Sequence, residues 1–68
     1  MQVSEITIKR TSSYGRYTIN GVINGIELNA TTTDSEAFDY FNDDEFPDKQ
    51  KEAIEHCEMK LIESYENL

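Results

Sequence analysis

Cysteine is nearly absent from this 68-residue chain, and proline and histidine occur once each. One cysteine excludes an internal disulfide framework, and Cys57 with His56 cannot build a structural zinc site in a single chain. No apolar run approaches the ~20 residues that span a bilayer, and the N-terminal stretch has no signal-peptide core, so the expected compartment is a reducing cytoplasm. Apolar residues make up 37%, below the usual ~45–50%, which announces a thin core. The length allows one domain, residues 1–68, and leaves no room for a dinucleotide fold or a two-domain cleft. Basic residues are also scarce: six, against fourteen acids. Direct nucleic-acid binding and anionic membranes are therefore disfavoured, since both need clustered Lys and Arg.

The acids are not spread evenly. Residues 1–33 carry Glu5 and Glu27 against Lys9, Arg10 and Arg16, a balance of +1. Residues 34–68 carry twelve acids against Lys49, Lys51 and Lys60, a balance of −9. Such a dipolar distribution speaks of long-range fields and association rates rather than of fold. The partner it suits is a protein with a basic surface.

The first half reads as strands. Val3 to Arg10 alternates, with Ile6 and Ile8 on one face and Glu5, Thr7 and Lys9 on the other. Asn20-Gly21 and Asn24-Gly25 could each form a type I′ turn. Placing the turn at Asn24-Gly25 pairs Ile23 with Ile26, Gly21 with Leu28, Ile19 with Ala30 and Tyr17 with Thr32 on one face. The other face then holds Val22 with Glu27, Asn20 with Asn29 and Thr18 with Thr31. One apolar and one polar face is what a half-buried antiparallel sheet requires, so the later turn is preferred.

Thr33 to Glu36 (T-D-S-E) has capping-box spacing, with Thr33 as the expected N-cap of a short helix carrying Ala37, Phe38 and Phe41 inward and Tyr40 at its margin. Pro47 suits the first position of a second helix. There Ile54, Cys57, Leu61, Tyr65 and Leu68 recur at spacings of 3 and 4, flanked by Ala53 and Ile62, while Met59 lies off the stripe. The expected fold is α+β: a three-stranded antiparallel meander followed by two helices packed on one face, β-β-β-α-α. Its expected core is Ile6, Ile8, Ile19, Leu28, Phe38, Phe41, Ile54, Leu61 and Tyr65.

No nucleophile–base pair, phosphate loop or metal-ligand set can be read in the chain, so no enzyme, cofactor or metal is expected. His56 lies one turn from Glu52 and from Lys60 but is expected as a solvated surface residue, and Cys57 as core. The run Asp43, Asp44, Glu45 and Asp48 lacks the alternating ligands and central glycine of a calcium loop.

The acidic surface is the candidate site. Asp39, Asp43, Asp44, Glu45 and Asp48 form its expected centre, Glu52, Glu55 and Glu58 extend it, and Tyr40 offers an aromatic anchor. Like charges one helical turn apart are mildly destabilising, so their accumulation suggests a use beyond stability. The function expected is a non-enzymatic protein-interaction module, as monomer or homodimer. Its carboxylates would stand in for phosphates in the basic groove of a nucleic-acid-handling complex. The alternatives are a small accessory or metal-binding domain using residues 43–48, or an edge-strand dimerisation module. The polar sheet face, with Thr18, Asn20, Asn29 and Thr31 near Tyr14 and Arg16, is a second candidate surface.

In layout the chain resembles small phage-encoded inhibitors of bacterial defence, some anti-CRISPR proteins among them. The features concerned are strands through Thr32, the T-D-S-E helix start at 33–36 and the Glu-rich helix from Pro47. The resemblance implies a host-cell cytoplasmic inhibitor and transfers no individual residue role.

Overall fold

The computed structural model describes residues 2–68. Its elements run β1 (Ser4–Arg10), β2 (Tyr17–Ile23), β3 (Ile26–Thr32), α1 (Ser35–Tyr40) and α2 (Pro47–Glu66). The sheet is antiparallel in the order β1-β2-β3, which makes β2 central and leaves β1 and β3 as edges. The chain is thus α+β with the expected element order.

The hairpin forms in the register that the alternating pattern demands, from Ile23 opposite Ile26 to Tyr17 opposite Thr32. Asn24 and Gly25 both take positive φ, 51° and 78°, as a type I′ turn requires. Along β2 the apolar positions Tyr17, Ile19, Gly21 and Ile23 are all buried. Gly21 is a contact point between layers: a Cβ there would stand 2.5 Å from Leu61 Cδ1 of α2. β1 departs from regular pairing between Ser4 and Thr7, where a bulge places Glu5 at φ 55°.

α2 lies across the apolar face, and Ile19, Ile23, Leu28, Cys57 and Leu61 form the central cluster. Val3, Ile6, Ile8, Ala30, Phe41, Ile62 and Tyr65 pack around it half-buried. Of the expected core, Ile19, Leu28 and Leu61 are buried, as are Cys57 and Ala37, which were also expected inward, while Ile6, Ile8, Phe38, Phe41, Ile54 and Tyr65 are half-buried; Tyr17, Ile23 and Ala53 join the buried set. Phe38 is drawn aside because its ring stacks on Tyr17, with centroids 4.6 Å apart, beneath the Arg10 guanidinium. That stack joins α1 to the far end of the sheet.

The cap of α1 is displaced by one residue from Thr33. Asp34 is the N-cap, its Oδ1 accepting from the Glu36 and Ala37 amides. β3 runs to Thr32, whose hydroxyl accepts from the Asp34 amide, so the helix can begin only after Asp34. Pro47 occupies the first turn of α2, where its missing N–H leaves no bond unmade.

Candidate functional site: an acidic helix face and a threonine–histidine junction

Three spacings of 4 and two of 3 place Asp48, Glu52, Glu55, Met59, Glu63 and Glu66 on one side of α2, opposite Ala53, Cys57 and Leu61. All six are exposed, Met59 at 63%. The strip extends about 27 Å at the 1.5 Å helical rise. None of its five carboxylates forms an ion pair among the described residues, where the only contacts of that kind are Lys49 with Glu36 and His56 with Asp34. The strip is therefore an uncompensated line of negative charge around one thioether.

Sequence spacing anticipated Asp48, Glu52 and Glu55 on this surface but left out Glu63, Glu66 and Met59. A helical projection carried through to the end of α2 would have found them. Glu58 belongs elsewhere: one turn from both Ile54 and Ile62, it is half-buried on the flank of the helix. Asp39, Asp44 and Glu45 are exposed, Tyr40 is half-buried, and Asp43 is half-buried rather than exposed as expected.

The physical reason for Asp43 is its work in the α1–α2 connection. Its Oδ1 accepts the Glu45 amide at 3.0 Å, its own amide donates to the Tyr40 carbonyl, and its carbonyl accepts from Phe46. Asp44 Oδ1 accepts from Gln50, which also donates to the Phe41 carbonyl. These two carboxylates hold a turn, while Asp39, Asp44, Glu45 and Asp48 remain exposed, so the acidic surface runs from the α1–α2 connection on to the outer face of α2. Tyr40 meets the ring of Phe46 edge-on at 5.7 Å, and Phe46 is 51% exposed at the mouth of α2. Met59 thus stands as the apolar point within the acidic strip, while Phe46 is a separate exposed aromatic at the start of the helix.

His56 departs most from expectation. It is half-buried, with Nε2 2.7 Å from Thr32 Oγ1 and Nδ1 3.9 Å from Asp34 Oδ2. This joins the end of β3, the start of α1 and the middle of α2. The three side chains have the order of a nucleophile–base–carboxylate set without its geometry: 3.9 Å is too long for a hydrogen bond. Thr32 is only 6% exposed and its hydroxyl already accepts from the Asp34 amide. The arrangement suits a structural junction.

Cys57 is fully buried, and its thiol is pushed up to about 11, first by burial and then by the Asp34 and Glu58 carboxylates. That disfavours the reactive thiolate. Among the described residues no three His, Cys, Asp or Glu side chains converge as a metal cage, the 43–48 run included. No described helix is long and apolar enough to cross a membrane. The polar sheet face is present, with Tyr14 fully exposed at the adjoining loop.

Comparison with family models, curated proteins and solved structures finds no match to this chain.

Proposed function

We propose that this chain is a non-enzymatic interaction module whose outer α2 face occupies a basic groove on a nucleic-acid-handling protein, acting as an inhibitor by displacing the phosphates that groove would hold. The observation that carries this reading is the line Asp48, Glu52, Glu55, Glu63 and Glu66, all exposed and without an ion-pair partner among the described residues. Opposite charge on the partner speeds encounter and rejects neutral or acidic competitors. Met59, at the middle of the strip, supplies the apolar contact on which affinity usually concentrates. The junction at His56 and Thr32 serves the fold and takes no part in a reaction.

The test is capture from cell lysate followed by a salt series and a charge reversal. Raising salt from 0.1 to 1 M shortens the screening length from about 10 to about 3 Å, so binding should weaken steeply. Glu52→Lys with Glu55→Lys should reduce it further while leaving the fold intact. Reversal of Asp43 and Asp44 would not serve this test, because it would also break the turn they hold. A captured protein lacking a basic contact surface, or one indifferent to salt and to the reversal, would refute the proposal.

A further inference from the structure

This acidic chain has only six Lys and Arg side chains, and two of them meet at one place. Arg16 and Lys60 line an open depression of about 390 Å³ at the end of β3, together with Thr31, Thr32, Thr33, Asp34 and His56. Two contacts fix how α2 runs past that edge. His56 Nε2 lies 2.7 Å from Thr32 Oγ1, and two turns further on Ser64 Oγ donates to the Asn29 carbonyl at 3.1 Å. Lys60 stands midway between these anchors on the same side of the helix, four residues from each. It is thereby carried to the level of Ala30 and Thr31. Arg16 comes from the sheet: it precedes Tyr17, which pairs with Thr32, and so stands level with Thr33.

Neither cation is neutralised within the fold. Among the described residues Arg16 and Lys60 form no ion pair, although Lys60 is half-buried. The strand edge adds donors. A two-residue turn closes on a pair that exchanges both backbone hydrogen bonds, here Ile23 and Ile26, and the pattern alternates along the ladder. By that count Glu27, Asn29 and Thr31 turn their backbone groups away from β2, in agreement with the Ser64 bond to Asn29. The Thr31 amide therefore opens at this edge, and the Thr33 amide beyond it has no backbone partner either. Asp34 is the one acid in the lining, and its carboxylate is already engaged. Its Oδ1 accepts from the Glu36 and Ala37 amides, and its Oδ2 lies 3.9 Å from His56 Nδ1. With its ring nitrogens turned to Thr32 and Asp34, His56 serves as a wall.

Two free cations with hydroxyl and amide donors beside them form a cradle for an oxyanion. A phosphoryl group carries a charge of about −1.5 to −2 at pH 7 and three acceptor oxygens, which matches two cations; a carboxylate offers a single charge. A long polyanion would run into the negative charge of residues 34–68. We propose that this depression binds a single phosphoryl dianion, free or on a small phosphomonoester, with Arg16 and Lys60 on its oxygens and Thr31 and Thr33 donating from the strand edge. The site lies on another side of α2 from the acidic strip, so this reading and the proposed inhibitor function can fail separately. NMR of the amides at constant ionic strength tests it, with phenyl phosphate, inorganic phosphate and acetate as probes. Both phosphates should move the Thr31 and Thr33 amides along saturable curves, with dissociation constants on the order of 1 mM. Tighter binding of phenyl phosphate would mark an esterified ligand and tighter binding of inorganic phosphate a free one; either supports the site. Arg16→Gln and Lys60→Met should each weaken binding by about tenfold, the loss of one charge-assisted bond. Lys51→Met removes the same charge from an exposed position elsewhere on α2 and should change nothing. The remaining amide resonances should stay in place in each variant, because Arg16 is exposed and methionine keeps much of the lysine stem. Absence of a saturable shift at Thr31 and Thr33, equal weakening by Lys60→Met and Lys51→Met, or acetate binding as tightly as phosphate would overturn the proposal.

Discussion

On its inner side α2 presents Ala53, Cys57 and Leu61, none more than 4% exposed; on its outer side it presents five carboxylates and Met59 to solvent. The inner residues are small or closely fitted because the sheet beneath offers little depth: Leu61 reaches the space that a side chain at position 21 would need. The outer residues are constrained by nothing within the fold. One helix therefore separates what keeps the domain folded from what is free to meet a partner, and substitutions on the two sides should differ in kind.

The largest effect should come from Leu61→Ala, which empties a fully buried site and should cost about 2–5 kcal/mol in urea unfolding. Against a total of about 5–15 kcal/mol for typical domains, that brings this one close to unfolding. Gly21→Ala attacks the same contact from the sheet and should cost about 1–3 kcal/mol through overpacking. In the Leu61→Ala background the added methyl should be tolerated, so the two costs should not add.

A subtler loss concerns Cys57. Its native thiol holds the proton up to about 11, above the ordinary value of 9.0, so the folded state binds that proton more tightly than the unfolded chain. The resulting stabilisation is fully present below pH 9.0 and is lost as pH rises through about 11. Denaturation curves across that window should show the fall, and a Cys57→Ala variant should lack this component.

The smallest effect on stability belongs to the outer face. Glu52→Lys with Glu55→Lys should move the unfolding free energy by no more than about 0.5 kcal/mol, since neither side chain makes a contact the fold needs. A large loss there would mean that the outer face also supports the fold.

Local chemistry made much of this architecture legible. The hairpin register followed from Asn24-Gly25 and a strict period-two pattern, because a slip by one residue would bury Asn20 and expose Ile19. On α2 the helical period found Cys57 and Leu61, but it put Leu68, which lies past the helix and is 77% exposed, on the stripe, and favoured half-buried Ile54 over buried Ala53. What escaped were contacts between residues far apart in sequence. Thr32 meets His56 across 24 positions, and that contact turned an expected surface histidine into part of a junction. Phe38 left the central cluster because Tyr17 and Arg10 offered it a stack at the sheet's end. The cap moved from Thr33 to Asp34 because the length of β3, not the capping pattern, decides where α1 can begin. Of the candidate site, the charge was legible; which carboxylates were already committed to a turn was not.

The hydroxyl of Ser64 on the Asn29 carbonyl bears on how far such a sheet could grow. A three-stranded sheet with two open edges can add strands at either side without limit, which is the route to fibres. Here the β3 edge is obstructed by the helix that crosses the sheet. At Asn29 the outward carbonyl that an added strand would need is already taken by the helix, so growth of the sheet past β3 is blocked at that point.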